Sequence, residues 1–502
     1  MSLTELLFAD DAGAPDADLV HVGERSWTRA EVRDRAEDIA AVLTAAGVEP
    51  GAAVGVMLPN GVDVIAALFG VWKAGGVYVP LNPRLTDDEV AHVLDSVEPV
   101  VVVTTADRAD RFALPVVVAD DTLTTRNGTG ATDRRHDPDV ALIQFTSGTT
   151  GRPKPVLLLH SGVLTLLDGV ISKLRSGAPA KAADGTAAAP KPPMPNLIPV
   201  SLSLWAGLYN VLFAMRVGAS VIILDGFDTT EFVAAVRRFG LRSTVLPPAA
   251  MTMLADDTSI EDLAPLRFVR SITAPLSPLQ ARRFKDRFGI AVLNSWGQTE
   301  IGGEIVGWNA ADSREHGDDK LGSVGRPHTG VSIRAVDEDG QDVGVGEPGE
   351  LWVLTPALSA GYADGGDLAD RLSPDGWFRT GDVGRVDAEG FVWIEGRVSS
   401  MINRGGLKVH PGEVEEVLRL HPSIADVAVV GAPDERLGEV PWAFVVLTPG
   451  STLDPAALTA LSREHLAPYK VPAGFEPIDA LPRNEVGKVL ARDLIDRIGA
   501  TS

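Results

Sequence analysis

Residues 146–154 read TSGTTGRPK, directly after the strand-like run ALIQF at 141–145. A tight turn dense in glycine and hydroxyl side chains gathers backbone N–H and O–H donors, and Lys154 adds a point charge at its exit. Such a loop is a cradle for phosphate. It departs from the pattern GxxxxGK[ST], which needs its lysine two positions earlier. The plain alternative is a polar connection that uses glycine only to turn. The hydroxyl density ahead of Pro153 and Lys154 favours the phosphate reading.

Outward from this loop, amphipathic stretches of helix length alternate with short β-branched runs. On the N-terminal side, Ala30–Ala45 has helical spacing and AAVGVML at 52–58 reads as a buried strand. VDVIAALFGVWKAG is then a helix ending near Gly75, VYVPL a strand, and DDEVAHVLDSV a helix before VVVVT. On the C-terminal side, SVIIL, STVLPP, FVRSIT and IAVLNSWG read as strands, with helices over TTEFVAAVRRFG and over 278–288. Repeated strand–helix–strand units predict an α/β fold of parallel-rich sheets covered by helices, with ligands at the carboxyl ends of strands. Ser176–Pro195, rich in Ala, Pro and Gly, reads as a flexible surface loop. Near Gly396 the pattern restarts as a compact α+β unit. The expected organisation is a large domain over 1–396 and a small mobile domain over 397–502.

At 502 residues the chain exceeds one packed core. It has no cysteine, so disulfides, thiolate zinc sites and cysteine nucleophiles are excluded, and a thiol in the chemistry has to come from a ligand. Lys+Arg 45 against Asp+Glu 68 gives a net charge of −23, which argues against nucleic acid as a partner. An anionic ligand then needs local cations or a metal ion. The N-terminus has no basic start followed by an apolar stretch, so the expected compartment is the cytoplasm. Pro192–Met215 is uncharged and long enough to span a bilayer, but four prolines crowd its start and Asn196, Ser201, Ser203 and Asn210 interrupt it. It reads as a buried wall rather than a transmembrane segment.

Further boxes follow the loop in order: NSWGQTE at 294–300, WFRTGD at 377–382, GRVSSMINRGGLKVHPGEVEE at 396–416 and PRNEVGK at 482–488. With TSGTTGRPK they are collinear, and together they resemble the signatures of the adenylate-forming superfamily, in its acyl-CoA synthetase branch. The resemblance covers essentially the whole chain. It implies ATP, Mg2+ and CoA as cofactor and co-substrates, and a small mobile domain that rotates between two half-reactions.

Residue by residue, the resemblance implies that Thr146, Ser147, Gly148, Thr149, Thr150 and Lys154 hold phosphate, with Thr299 facing it. Glu300 is implied as the magnesium ligand, since a hard dication takes carboxylate oxygen. Ala274, Asn294, Ser295 and Trp296 match the adenine slot. Asp382 matches the acid that accepts from both ribose hydroxyls, and Arg397 adds a cation near ribose or phosphate. Lys488 matches the catalytic lysine that touches carboxylate and α-phosphate. Gly405 and Gly406 would let a pantetheine arm pass, and Lys408 would meet CoA. Open alternatives are core packing for Trp296, a structural salt bridge for Arg397 and a hairpin turn for Gly405–Gly406.

Departures accompany the matches. Pro155 stands where relatives carry glycine, Ser399 and Ser400 replace a charged hinge pair, Ser203 lies near a customary histidine, and Asn403 near a customary lysine. His160 is a lone imidazole in an apolar stretch and reads as a satisfied core residue. No HExxH and no GxSxG is present. The expected activity is ligation of a mainly apolar acid, fatty or alicyclic, to CoA through an acyl-AMP. A carrier-protein phosphopantetheine is the alternative acceptor, and a non-catalytic nucleotide-binding relative the alternative class. A homodimer is left open.

Overall fold

In the computed structural model of the chain, residues 2–120, 122–129, 132, 134–146, 153–176, 193–274, 276–483 and 489–501 are described. Residues 177–192, most of the stretch read as a flexible loop, lie outside them.

The parallel-rich expectation holds for the first part of the chain. A seven-stranded sheet runs in the order Thr124–Arg126, Val116–Val118, Val101–Thr104, Ala53–Met57, Val77–Pro80, Val140–Thr146, Lys154–Leu159. Its middle strands are parallel and its two outermost pairings antiparallel. Strands buried on both faces carry nearly continuous Val, Ala and Leu, which is why ALIQF and AAVGVML lack alternation. Between this sheet and a second one, Asn196–Ile198, Val221–Ile223, Asp18–Val22 and Arg25–Thr28, lies the helix Val62–Lys73. Every residue of it from Val64 to Trp72 is buried, as its all-round apolar sequence requires. The helix Arg29–Ala45 starts at a capping box in which Glu31 N–H donates to Thr28 Oγ1 at 3.2 Å and Thr28 N–H to Glu31 Oε2 at 2.7 Å.

A third, parallel sheet holds Ser243–Leu246, Phe268–Ser271 and Ala291–Leu293. Beyond Leu293 the architecture changes. Ser295–Gln298, Gly303–Gly307 and Arg326–Pro327 form one antiparallel sheet, and Ser332–Val336, Gly349–Leu354, Phe378–Val386 and Val392–Arg397 another. Here neighbouring strands pair antiparallel and need no crossover helix, so the parallel strand–helix–strand units do not extend to the end of the large domain. IAVLNSWG accordingly splits at Asn294 into a parallel strand and an antiparallel one.

The small C-terminal domain is a sheet of Leu407–Val409, Ile402–Arg404, Gly438–Leu447 and Ile424–Asp434, with Gly474–Pro477 alongside Gly438–Leu447. Its hydrophobic clusters draw only on residues 402–498. The uncharged stretch at 192–215 enters the large core as the strand Asn196–Ile198 and the helix Trp205–Arg216, mostly buried. Its two asparagine amides are bonded there: Asn196 Nδ2 donates to Asn210 O at 3.0 Å and Asn210 Nδ2 to Ala206 O at 2.8 Å. Among the described residues no helix is long and apolar enough to cross a membrane. His160 is buried, accepts the Leu3 N–H on Nδ1 at 3.3 Å and meets Trp72 edge-on. Burial pushes its pKa down to about 4.

Candidate active site

The glycine and hydroxyl loop joins two strands, not a strand and a helix. Lys154–Leu159 pairs antiparallel with Val140–Thr146, and Thr146 lies opposite Lys154 in that register. The two residues are the last described pair of that ladder; Ser147, Gly148, Thr149 and Thr150 lie outside the described residues. A run of apolar residues in PVLLL, partnered on one edge, explains the strand. Pro155 fits because this is the outermost strand, where a missing N–H is tolerated. Its carbonyl accepts from Ala363 N–H at 2.7 Å, and Leu157 N–H donates to Gly361 O at 2.9 Å. These bonds bring Tyr362 beside the loop exit, where the exposed Lys154 ammonium stands 5.1 Å from the centre of the phenol ring.

From Tyr362 a line of polar contacts crosses to the far side of the site. Its hydroxyl donates to Glu300 Oε1 at 3.5 Å, and burial beside that carboxylate pushes the phenol pKa up. Arg371 donates to the same Oε1 at 3.2 Å, to Gln298 Oε1 at 3.3 Å and to Thr380 O at 2.8 Å. Gln298 Nε2 in turn donates to Asp382 Oδ2 at 2.8 Å, and so does Trp296 Nε1 at 2.9 Å. The guanidinium of Arg397 reaches Asp382 Oδ1 at 2.7 Å. Asp382 and Arg397 are direct partners across the strand pair, and Asp382 is only 3% exposed.

Trp296 and Gln298 are presented by Ser295–Gln298, which is gripped by its antiparallel partner. A side chain at Gly297 would place its Cβ 1.7 Å from Gly303 O, so only glycine lets the two backbones approach. Ser295 Oγ donates to Ser271 O at 2.9 Å, tying Asn294 and Ser295 to the segment ahead of Ala274. There Thr273 holds a φ of 72°, and the Ala274 N–H folds back to Ile272 O at 2.9 Å. A non-glycine residue in the left-handed region is strained, a feature that concentrates at binding sites.

Residues 7–363 match the AMP-binding enzyme family, and residues 413–488 match the AMP-binding enzyme C-terminal domain. The chain belongs to this family. It is similar to the fatty acid–[acyl-carrier-protein] ligase ScoC of Streptomyces coeruleorubidus, 31% identical across 95% of this chain and 93% of that protein. It is also similar to the 3-[(3aS,4S,7aS)-7a-methyl-1,5-dioxo-octahydro-1H-inden-4-yl]propanoyl:CoA ligase of Mycobacterium tuberculosis, 34% identical across 95% of this chain and 94% of that one. Among solved structures, the O-succinylbenzoate coenzyme A synthetase of Bacillus subtilis in complex with ATP and a magnesium ion superposes with a TM-score of 0.83. It is 26% identical and covers 98% of this chain and 99% of that one.

In this AMP-binding enzyme, Thr299 and Glu300 open a tight turn, Thr299–Ile301, closed by Gly302 N–H to Thr299 O at 3.0 Å. No described residue bonds Glu300 Oε2, so one oxygen of a largely buried carboxylate remains for a cation. Among the described residues no three His, Asp or Glu side chains converge on a metal. That donor set suits magnesium, which keeps water and phosphate oxygens in most of its positions.

Lys488 lies outside the described residues, but the base of its loop is closed by a bridge between Arg483 and Val489 and by Leu490 N–H to Pro482 O at 2.8 Å. Gly405 and Gly406, with φ of 58° and 90°, form the hairpin turn between Ile402–Arg404 and Leu407–Val409. Asn403 serves that turn by accepting the Gly406 N–H at 2.9 Å. Lys408, on the same hairpin, is ion-paired with Glu338 of the large domain. Ser399 and Ser400 sit exposed in the turn Val398–Ser400.

Beside the helix Trp205–Arg216 lies a buried charged group that sequence reading missed. Glu304 is bonded by Arg270 and by His328 Nε2, the latter at 3.1 Å. Burial alone would raise the Glu304 pKa; Arg270 and His328 together outweigh it and draw the carboxyl down to about 2. The hydroxyl of Tyr209, also buried, has no hydrogen-bond partner among the described residues. Ser203, where a histidine is customary, has its hydroxyl 2.7 Å from that of Ser201. Tyr362, Arg371 and Gln298 also escaped sequence reading; Gln298 lies within the box at 294–300 and Arg371 six residues ahead of the one at 377–382, whereas Tyr362 lies in no box.

Proposed function

We propose that the protein is an ATP-dependent acid–thiol ligase: a carboxylic acid attacks ATP to give an acyl-adenylate and pyrophosphate, and the thiol of CoA then displaces AMP. The observation that carries this reading is the line of contacts from Lys154 through Tyr362, Glu300, Arg371 and Gln298 to Asp382. It sets a phosphate end and a ribose end on one surface. The names of the two relatives, one ending in a carrier-protein thioester and one in a CoA thioester, support the same chemistry.

The roles are those the resemblance implies, and charge and geometry are consistent with them. Carboxylate attack on the α-phosphorus brings two anions together, so preplaced positive charge is the largest catalytic contribution available. Lys488 supplies it on a mobile lobe, with domains divided at about residue 396. Thr146 and Thr299 offer hydroxyls to phosphate, and Lys154 a charge. Asp382 receives the ribose hydroxyls, a task for which a carboxylate is suited. The Trp296 indole, its edge fixed by Asp382, offers a face beside Ala274, Asn294 and Ser295 for adenine. Glu300 would hold Mg2+, which when bound neutralises phosphate charge. Gly406 and Lys408 lie where CoA would pass, and Lys408 would exchange Glu338 for the ligand.

The acid has a mainly apolar body, fatty or alicyclic, on this reading. Support comes from the uncharged, apolar sequence at 197–215, whose helix Trp205–Arg216 packs against the strand that carries Glu304. Acid-dependent pyrophosphate release across fatty, alicyclic, aryl and amino acids, with and without CoA, tests the whole scheme. Release with no acid in the panel would refute it. A carrier-protein phosphopantetheine is the second reading of the acceptor, favoured by the carrier-protein relative. The mass of the product formed with CoA or with holo-carrier separates the two.

A further inference from the structure

Asp382 has too few free lone pairs to do what its proposed role asks. A carboxylate offers about four acceptor positions. Two donors, Trp296 Nε1 at 2.9 Å and Gln298 Nε2 at 2.8 Å, occupy Oδ2, and Arg397 occupies Oδ1 at 2.7 Å. One position is left, whereas two ribose hydroxyls need two. At 3% exposure the carboxylate cannot turn to find more.

We propose that the ribose of ATP displaces Arg397 from Asp382, so that Arg397 guards the seat when it is empty and is released when it fills. This rests on Asp382 being the ribose seat. The alternative donors are held from elsewhere. Gln298 Nε2 also donates to Thr380 O at 2.9 Å, while its Oε1 accepts from Arg371. Trp296 packs against the main hydrophobic core. Arg397, by contrast, is 38% exposed along its side chain and has Asp382 as its ion-pair partner. It ends the strand Val392–Arg397 and leads into the exposed turn Val398–Ser400. Its guanidinium is the donor that can leave at least cost. Once free, it is a cation within a side chain's length of the bound nucleotide. Trp296 and Gln298 act as positioning residues that hold Oδ2 fixed throughout.

The test compares ATP with 2′,3′-dideoxy-ATP by calorimetric titration of the full chain, because contacts to phosphate and adenine cancel in the ratio of their dissociation constants. The wild-type ratio favours ATP. Arg397→Ala and Arg397→Gln remove the competitor and raise that preference about three- to tenfold, the scale of a partly exposed ion pair. A preference that falls makes Arg397 a ribose ligand, and an unchanged one leaves it bound to Asp382 throughout; either overturns the proposal. Equal affinities of the wild-type protein for both nucleotides would instead refute the ribose seat itself, and the displacement with it.

Discussion

Replacing Asp382 with asparagine changes one oxygen to an amide nitrogen at the point where most of the site's bonds converge. Trp296 and Gln298 both donate to Oδ2, at 2.9 and 2.8 Å, so the amide oxygen must stay on that side. Its NH2 group then faces the Arg397 guanidinium, donor against donor, and the charge-assisted bond at 2.7 Å is lost. Hydrogen bonds to charged groups are worth about 1.5–3 kcal/mol. Because Arg397 is 38% exposed, solvent screening reduces the stability loss to about 1 kcal/mol. Nucleotide binding suffers more. An acceptor for ribose is replaced by a donor, and a charged acceptor by a neutral one, so Asp382→Asn weakens ATP about 10- to 100-fold. The affinity for 2′,3′-dideoxy-ATP shifts by less than about threefold, since no hydroxyl is there to lose. Titration calorimetry with both nucleotides, beside urea unfolding, measures all three quantities. Equal weakening of the two nucleotides would show that Asp382 acts through the fold, and the ribose assignment would fall.

Lys488→Ala cuts acid-dependent pyrophosphate release at least about 100-fold while ATP affinity stays within a few-fold, because its charge acts where two anions meet; near-normal turnover would remove Lys488 from the mechanism. Glu304→Gln strands the Arg270 guanidinium, whose side chain is 16% exposed, and costs about 3–5 kcal/mol in urea unfolding, whereas Arg270→Met with Glu304→Leu recovers most of it. The buried His160 has its pKa lowered from 6.5 to about 4, so the folded state disfavours the charged form. Its contribution is complete above pH 6.5 and falls as pH drops toward 4. His160→Gln therefore flattens the stability–pH curve by about 3 kcal/mol at pH 4, and superimposable curves would contradict the assignment.

Local chemistry made some of this legible in the sequence. The helix expected over 278–288 spans Pro278–Phe288, started by Ser277 and Gln280 in a capping box and ended by Gly289 in the left-handed region. The turn at Gly405–Gly406 and the satisfied state of His160 were likewise written in their immediate neighbours. Arg397 illustrates the opposite case: its ion pair with Asp382 is set by the antiparallel register of Phe378–Val386 and Val392–Arg397, which the residues around Arg397 do not announce. Arg371, Gln298 and Tyr362 were invisible for that reason. Their meeting depends on antiparallel registers between segments dozens of residues apart, and a lone arginine in LADRLSPDG looks like any solvated loop cation. Glu304 and Arg270 were missed because single charges within strands read as a wet face. The core hides them by pairing them with each other.

The charge around this site explains why a second lobe is needed. A protein of net charge −23 repels a nucleotide at long range, so attraction has to be local. The large domain contributes Lys154 and Arg371 as cations, and Arg397 stands at the domain boundary at the end of the strand Val392–Arg397, but Arg371 is bonded to Glu300 and Arg397 to Asp382. Three positive charges set against two carboxylates leave a surplus of one. That pairing keeps the cations in place with nothing bound, and it also leaves them too nearly neutralised to offset a triphosphate and an acid together. Displacing Arg397 with ribose recovers one of them. In the proposed mechanism the remainder arrives with the nucleotide's metal ion and with Lys488 of the small domain. On the proposed mechanism the large domain holds the reactants, and closing the small domain over them makes their reaction affordable.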